Sequence, residues 1–395
     1  MAEVILRNLC KIFGDNPKKA IPYLEKGLSR AEIREKTGQT VALRNISLEV
    51  EKGETFVIMG LSGSGKSTLV RCINRLITPT SGEVLVGKEK INILDIGESE
   101  LIELRRKKFG MVFQHFGLLP HRTVLENAVF GLELQEADSE TMFDKGREAL
   151  ALVGLEGWED SYPSHLSGGM KQRVGLARGL AVDPEILFMD EPFSALDPLI
   201  RQEMQEELIS IQRKMKKTII FITHDLDEAI KLGDRIAILN EEGEFVQMGT
   251  PEDILLNPAD DFIATFVKNV DSSQVVRVES VMHPASGFIS EHATVSDTLD
   301  MMENRQSDHL YVVDSDEKFI GLIIRDSIAD IEPNVHISGF VEATKSVGPY
   351  KTLNSILPTV ISSNYSVPVI DKDGTFAGYV TDMDVISVLK GVKRT

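Results

Sequence analysis

Gly60-Leu-Ser-Gly-Ser-Gly65-Lys66-Ser67-Thr68 follows the apolar run Phe56-Val-Ile-Met59 and precedes a stretch of helical periodicity. A Gly-rich loop between a strand and a helix, closed by Lys-Ser, is the P-loop pattern, and that context makes the match specific. Glycines let successive backbone N–H groups turn inward on phosphates, and the helix N-terminus adds a dipole that favours anionic charge. In such a loop Lys66 reaches the β- and γ-phosphates of a nucleotide and Ser67 ligates Mg²⁺, while Gly60, Ser62, Gly63, Ser64, Gly65 and Thr68 complete the cradle.

Working outward, Ile186-Leu-Phe-Met-Asp190-Glu191 places two carboxylates at the end of a buried strand, a Walker B arrangement. Asp190 would hold Mg²⁺ through water and Glu191 would polarise the attacking water as general base. An apolar run ending in Asp-Glu is weak alone; its position downstream of the P-loop and before Ser194-Ala-Leu-Asp197 strengthens it.

Leu166-Ser-Gly-Gly-Met170, followed by Lys171-Gln-Arg173, is the string that separates ABC ATPases from other P-loop proteins, and with it the chain resembles the ABC family. The resemblance implies that Ser167, Gly168 and Gly169 contact the γ-phosphate of ATP held on another subunit's P-loop, so that a working site needs a homodimer. Met170 stands where Gln is commoner, which leaves the phosphate donors in place. Gln114, in Phe113-Gln-His115, matches the Q-loop that senses Mg²⁺ and water. His224, in Ile222-Thr-His-Asp225, matches the switch histidine that contacts the γ-phosphate and helps position Glu191. Phe13 is the candidate for stacking on adenine, with a buried core phenylalanine as the other reading.

A chain of 395 residues is too long for one ordinary core, so two or three domains are expected. Hydrophobic content of 42% and charged content of 26% exclude a largely disordered chain. The start, Met1-Ala-Glu-Val4, carries no secretory pattern, and the apolar runs are far shorter than the roughly 20 residues of a membrane span. A cytosolic protein, membrane-associated through a partner, is the expectation. Cys10 and Cys72 have no companion His cluster, so neither a disulfide framework nor a zinc site is suggested. A net charge of -18 disfavours nucleic acid, and Arg105-Arg-Lys-Lys108 reads as a solvated helix face.

Residues 4 to 13 and 43 to 59 read as strands. Residues 15 to 40 read as a helical insertion, with a capping box at Ser29-Arg-Ala-Glu32, a stop at Gly38, and a basic face from Lys18, Lys19, Lys26, Arg30, Arg34 and Lys36. That face reads as solvated surface or as a contact to anionic lipid sensitive to salt. Ile236 to Leu239 and Phe245 to Met248 read as a hairpin. Further on lies an internal repeat: Asp314, Asp316, Phe319 and Gly321 superpose on Asp371, Asp373, Phe376 and Gly378 at an offset of 57. After one residue of slippage Thr294-Val-Ser-Asp-Thr-Leu299 falls on Thr352-Leu-Asn-Ser-Ile-Leu357. Each copy is a helix, a strand, an Asp-rich turn, a strand and a helix.

Four segments resemble the ATP-binding subunit of glycine betaine/proline-type importers: Leu9 to Gly14 with the insertion after it, Gly60 to Arg75, Phe116 to Asn127, and Phe193 to Arg201. That family takes up quaternary amines through a transmembrane permease and an extracytoplasmic binding protein, and it also carries C-terminal tandem CBS modules, which the repeat resembles. The expected fold class is therefore α/β, a P-loop ABC ATPase cassette with a helical subdomain followed by a smaller α/β tandem CBS module. The expected bounds are 1–268 for the cassette, 269–278 for a linker, 279–332 for CBS repeat 1 and 339–393 for repeat 2. Such modules hold adenine nucleotides or cyclic dinucleotides, and Thr381 and Asp384 match the ribose-binding pattern; Ile324 and Ser327 stand at the corresponding places of copy one. A module that only forms dimers is the alternative. ATP and Mg²⁺ are the expected cofactors, and the cytoplasmic face of the membrane, reached through the permease, is the expected location. An importer for another small solute and a non-transport ABC protein acting on DNA or the ribosome are the competing functions.

Overall fold

A computed structural model describes residues 2–114, 116–268 and 270–389 and divides the chain into two compact units, Met1–Ile254 and Leu255–Thr395. His115, Asn269 at the head of the expected linker, and the end of the second repeat beyond 389 lie outside the described residues.

The first unit is built on two sheets. β1 (Ala2–Phe13), β2 (Thr40–Glu51), β4 (Ser81–Val86) and β5 (Ile91–Asn92) form an antiparallel sheet in the order β2-β1-β4-β5. The second sheet runs β10-β9-β3-β8-β7-β6, from β3 (Thr55–Gly60), β6 (Phe109–Val112), β7 (Ile186–Asp190), β8 (Thr218–Thr223), β9 (Arg235–Leu239) and β10 (Phe245–Gly249). Only the β9–β10 pair, the expected hairpin, is antiparallel within it. All residues of β3, β7 and β8 are buried, as continuous apolar runs in a parallel sheet require. The helix Lys66–Ile73 packs Leu69, Val70, Cys72 and Ile73 into a core shared by both sheets, beside Leu43 and Val84 of one and Phe56, Phe188 and Ile220 of the other. Burial of each such side chain contributes about 2 kcal/mol, so the segment that follows the P-loop is anchored from both sides.

Between β1 and β2 the chain makes a short helical excursion. The helix Arg30–Thr37 opens on Ser29, whose hydroxyl accepts from Glu32 N while the Glu32 carboxylate accepts from Ser29 N, and it ends at Gly38 with φ 71°. Its buried Ile33 meets Ile12, Ala20 and Val41 in a small core of its own.

In the second unit the segment leading into copy one adds a strand to copy two, and the segment leading into copy two bridges back to copy one. β13 (His309–Val313) pairs with β14 (Phe319–Ile324), and β15 (Val367–Ile370) with β16 (Phe376–Val380), each an antiparallel pair across an Asp-rich turn. The helices Val295–Arg305 and Leu353–Ser362 precede these pairs. β11 (His283–Pro284), which leads into copy one, pairs with β16 of copy two, and Glu342, which leads into copy two, bridges Leu322 of copy one. The chain then crosses back: β12 (Phe288–Ser290) runs parallel to β13, and Val347 bridges Val369 in parallel. Tyr311, Phe319, Phe376 and Tyr379 stack between the copies, with the Tyr311 and Phe376 rings 4.8 Å apart. The segment expected as a linker is packed rather than free: Ser273, Val276 and Val278 are buried, and the Val276 carbonyl accepts from Leu353 N at 2.9 Å. The sequence shows only valines interspersed among polar residues there, and nothing local names the segment they pack against.

Gly321 and Gly378, the equivalent glycines of the repeat, sit where the exchanged leaders cross: a Cβ would come 2.4 Å from Glu342 O at the first and 2.0 Å from His283 O at the second. Gly378→Ala should therefore cost the second unit about 2 kcal/mol by overpacking. Hydrogen exchange is expected to quicken across 367–380 and stay unchanged across 55–60; equal protection in the variant and the parent would contradict the crossing.

Candidate active site

The loop after β3 turns in a space too small for side chains. A Cβ at Gly60 would stand 2.4 Å from Leu239 O, and one at Gly65, where φ is 112°, would stand 2.5 Å from Ala42 O. Gly65 is also the N-cap of the helix Lys66–Ile73, so no side chain caps the first N–H groups there. Those donors suit an anion. Ser62 and Gly63 are exposed, Ser67 and Thr68 are half-buried, and the Ser64 side chain is buried with its hydroxyl unpartnered, which leaves Ser64 only its backbone to offer.

Lys66 is buried, and its Nζ donates to Gly60 O at 2.8 Å and Leu61 O at 3.0 Å, with Glu191 Oε1 3.7 Å away. Burial pushes the ammonium's pKa below its usual value. Ser67 Oγ donates to Asp190 Oδ1 at 2.9 Å, and the Arg71 guanidinium lies 3.9 Å from the other oxygen. Glu191 follows in a left-handed conformation, φ 44°, with its N–H bonded to Ile222 O. Its Oε2 meets His224 Nδ1 at 3.0 Å. Gln114 Nε2 donates to Ser194 Oγ at 3.3 Å, and Ser194 Oγ donates to Glu191 O at 3.0 Å. The structure thus gathers Lys66, Ser67, Gln114, Asp190, Glu191 and His224 at the carboxyl ends of β3, β6, β7 and β8, the edge of a parallel sheet where ligands bind. Phe13 is 40% exposed with the Lys11 ammonium 4.8 Å from its ring centre, so the buried-core reading fails.

Ser167 caps the helix Gly168–Ala181 by accepting from Met170 N, and Ser167 and Gly168 are exposed. Gly169 is buried, where a Cβ would strike Ile200 at 2.5 Å. In the second unit Thr381 lines a cleft of about 1020 Å³ together with His309, Tyr365, Met383 and Ile386. Asp384 holds Thr381, its Oδ2 accepting from Thr381 N at 2.8 Å and Oγ1 at 2.7 Å and facing His283 Nε2 at 3.2 Å. In copy one the Ser327 hydroxyl donates instead to Ile324 O.

Sequence reasoning missed the support under His224. Asp225 caps the helix Leu226–Leu232, Thr223 Oγ1 accepts from Asp225 N and donates to Glu228 Oε2 at 2.6 Å, and Gln205 and Arg201 close on the same carboxyl group. Asp225 three residues before Glu228 is a helix-start spacing that could have drawn notice. Burial raises the Glu228 pKa.

Among the described residues no group of three or more His, Cys, Asp or Glu side chains is placed to hold a metal ion, and no helix is long and apolar enough to cross a membrane. The ABC transporter profile matches residues 43–194, and the CBS domain profile matches 278–333 and 342–391. The glycine betaine/proline betaine transport system ATP-binding protein ProV of Escherichia coli is 46% identical over 95% of this chain and 94% of its own. The glycine betaine transport ATP-binding protein OpuAA of Bacillus subtilis is 45% identical over 98% of this chain and 93% of its own. Among solved structures, a dimeric post-hydrolysis state of the ATP-binding cassette MJ0796 bound to ADP and Pi covers 63% of this chain and 98% of its own, at 33% identity and a TM-score of 0.53.

Glu228→Ala leaves the Thr223 hydroxyl, Gln205 and Arg201 without their shared acceptor. It is expected to lower stability to chemical denaturation by about 2 kcal/mol, whereas Glu228→Gln, which keeps a carbonyl oxygen and suits a site that disfavours charge, should lose under about 1 kcal/mol. Equal loss in both variants would show that the charge itself holds the helix.

Proposed function

The chain belongs to the ABC transporter family, as an ATP-binding protein with a C-terminal pair of CBS domains, and we propose that a homodimer of it hydrolyses MgATP to drive import of glycine betaine or a related quaternary amine through a membrane permease. The observation that carries this reading is the convergence of Lys66, Asp190, Glu191 and His224 at one sheet edge. The solute comes from the two relatives' names, which share glycine betaine.

In this reading the P-loop N–H groups and Lys66 hold the β- and γ-phosphates, and Phe13 stacks on the adenine. Ser67, Asp190 and Gln114 offer a hydroxyl, a carboxylate and a carboxamide oxygen, a donor set that fits Mg²⁺ bound by few protein groups together with phosphates. The metal would neutralise charge developing on the transferred phosphoryl group. Glu191 takes the proton from the water that attacks the γ-phosphorus in line with the departing ADP oxygen, and His224 fixes the carboxylate from its far side. Exposed Ser167 and Gly168 supply donors to the γ-phosphate on a second copy. Closure of the two copies on ATP and their separation after hydrolysis move the permease, which receives solute from an extracytoplasmic binding protein. The chain works at the cytoplasmic face of the membrane.

The bounds 1–268, 269–278, 279–332 and 339–393 describe the working parts. Thr381 and the cleft around it suit a ribose-bearing adenine or cyclic dinucleotide ligand in copy two, with Asp384 released from Thr381 to bind a ribose hydroxyl. The net charge of -18 supports a protein that leaves nucleic acid alone.

Vesicles containing the chain with its permease and binding protein, given ATP on the cytoplasmic side, are expected to accumulate labelled glycine betaine. Glu191→Gln should cut hydrolysis by about a hundredfold or more and stop uptake. Hydrolysis without betaine uptake would retain the ATPase and refute the solute.

A further inference from the structure

The helical excursion between β1 and β2 returns to the P-loop. Arg30, the first residue of the helix Arg30–Thr37, sends its guanidinium to backbone carbonyls: Nη1 donates to Gly63 O at 3.2 Å, and Nη2 donates to Ser64 O at 3.1 Å and to Ala42 O. Glu242, in the turn between β9 and β10, accepts from the Arg30 backbone N–H at 2.7 Å instead of sitting on the guanidinium. Arg44 joins the same junction, donating to Leu28 O and standing 3.6 Å from Glu242 and 3.4 Å from Glu244. Burial lowers the Arg30 pKa, with Glu242 and Glu241 opposing that shift and Arg44 adding to it.

A trans peptide points its C=O and its N–H to opposite sides. Drawing the Ser64 carbonyl outward onto Arg30 therefore directs the Gly65 N–H toward the side where phosphate binds. The Gly63 carbonyl is drawn onto Arg30 as well, while the Ser64 N–H of that peptide bonds Leu61 O at 3.2 Å within the loop. A cation behind the loop also polarises both peptide groups in the sense that favours an anion in front of them.

We propose that Arg30 is a positioning residue for ATP: it holds the P-loop from behind in its phosphate-binding form, so that docking of the helix Arg30–Thr37 and binding of the nucleotide strengthen each other. The proposal rests on the reading of the P-loop as an ATP site. Coupling of this kind is reciprocal, so ATP must tighten the helix as much as the helix tightens ATP.

Equilibrium titration of the full chain with ATP in EDTA, where hydrolysis cannot proceed, tests this directly. Arg30→Met should weaken the ATP Kd by about tenfold or more, the scale of losing hydrogen bonds to a charged donor, and Arg30→Lys should recover part of it. In the unaltered chain, ATP should slow hydrogen exchange of the amides in 30–38, and Arg30→Met should abolish that response. A Met variant that melts earlier without nucleotide yet keeps its Kd within about twofold would reduce Arg30 to a stability contact and overturn the proposal. Should Arg30→Met fail to fold, exchange in the unaltered chain decides: amides in 30–38 indifferent to saturating ATP overturn the coupling. No ATP binding by the unaltered chain would instead overturn the nucleotide reading beneath it.

Discussion

The ammonium of Lys66 is taken out of water and given two carbonyls of its own loop, Gly60 O and Leu61 O, in place of solvent. A buried cation costs several kcal/mol unless partners are supplied, and it leaves a strong positive field at the point where backbone N–H groups converge. That arrangement needs a loop free of Cβ atoms at Gly60 and Gly65, a strand that delivers the loop at the sheet edge, and a helix that cannot withdraw. The helix Lys66–Ile73 is clamped between two sheets; β8, which pairs with β3, ends just before His224, and β7 on its far side ends at Asp190, next to Glu191. The acidic groups that offset Lys66 are thereby the same groups that the proposed function assigns to water and metal.

The same economy governs the neighbouring segments. Glu191 keeps a left-handed backbone, a conformation that costs about 1–3 kcal/mol and persists where its surroundings over-determine it. Here Ile222 O, Ser194 and His224 each hold one part of the residue. Behind the loop, Arg30 brings the excursion after Phe13 back to Gly63 and Ser64. In the second unit, two glycines leave room for the leaders that cross between the copies: β11 adds a strand to the sheet of copy two, and Glu342 bridges back to Leu322 of copy one.

Much of this was legible in residue order because the decisive motifs are local. Gly60 to Thr68 reads as strand, turn and helix. Ile186 to Glu191 is a buried strand with acids at its tip. Ser29 and Glu32 show their capping box by spacing, and Gly38 shows its end. The repeat offset placed both strand pairs, and its one-residue slippage matches helices beginning at Val295 and Leu353. What escaped were pairings between distant segments. Arg30 looked like one of several surface cations, because nothing local says that Gly63 and Ser64 lie within its reach. Residues 270–278 looked like a linker, because the partners of Val276 and Val278, at Leu353 and Lys351, lie far along the chain. Gly378 was visible as a repeated glycine, but its reason, the carbonyl of His283, is 95 residues away in the chain.

In the proposed function a nucleotide is shared between two copies, bound to the P-loop of one and capped by Ser167 and Gly168 of the other. Sedimentation of the Glu191→Gln chain with and without ATP tests it most directly, because slowed hydrolysis preserves the closed state. The expected result is self-association that ATP strengthens by about an order of magnitude or more and that Ser167→Arg in the same chain removes. Association indifferent to ATP, or an ATP-driven dimer indifferent to Ser167→Arg, would contradict it.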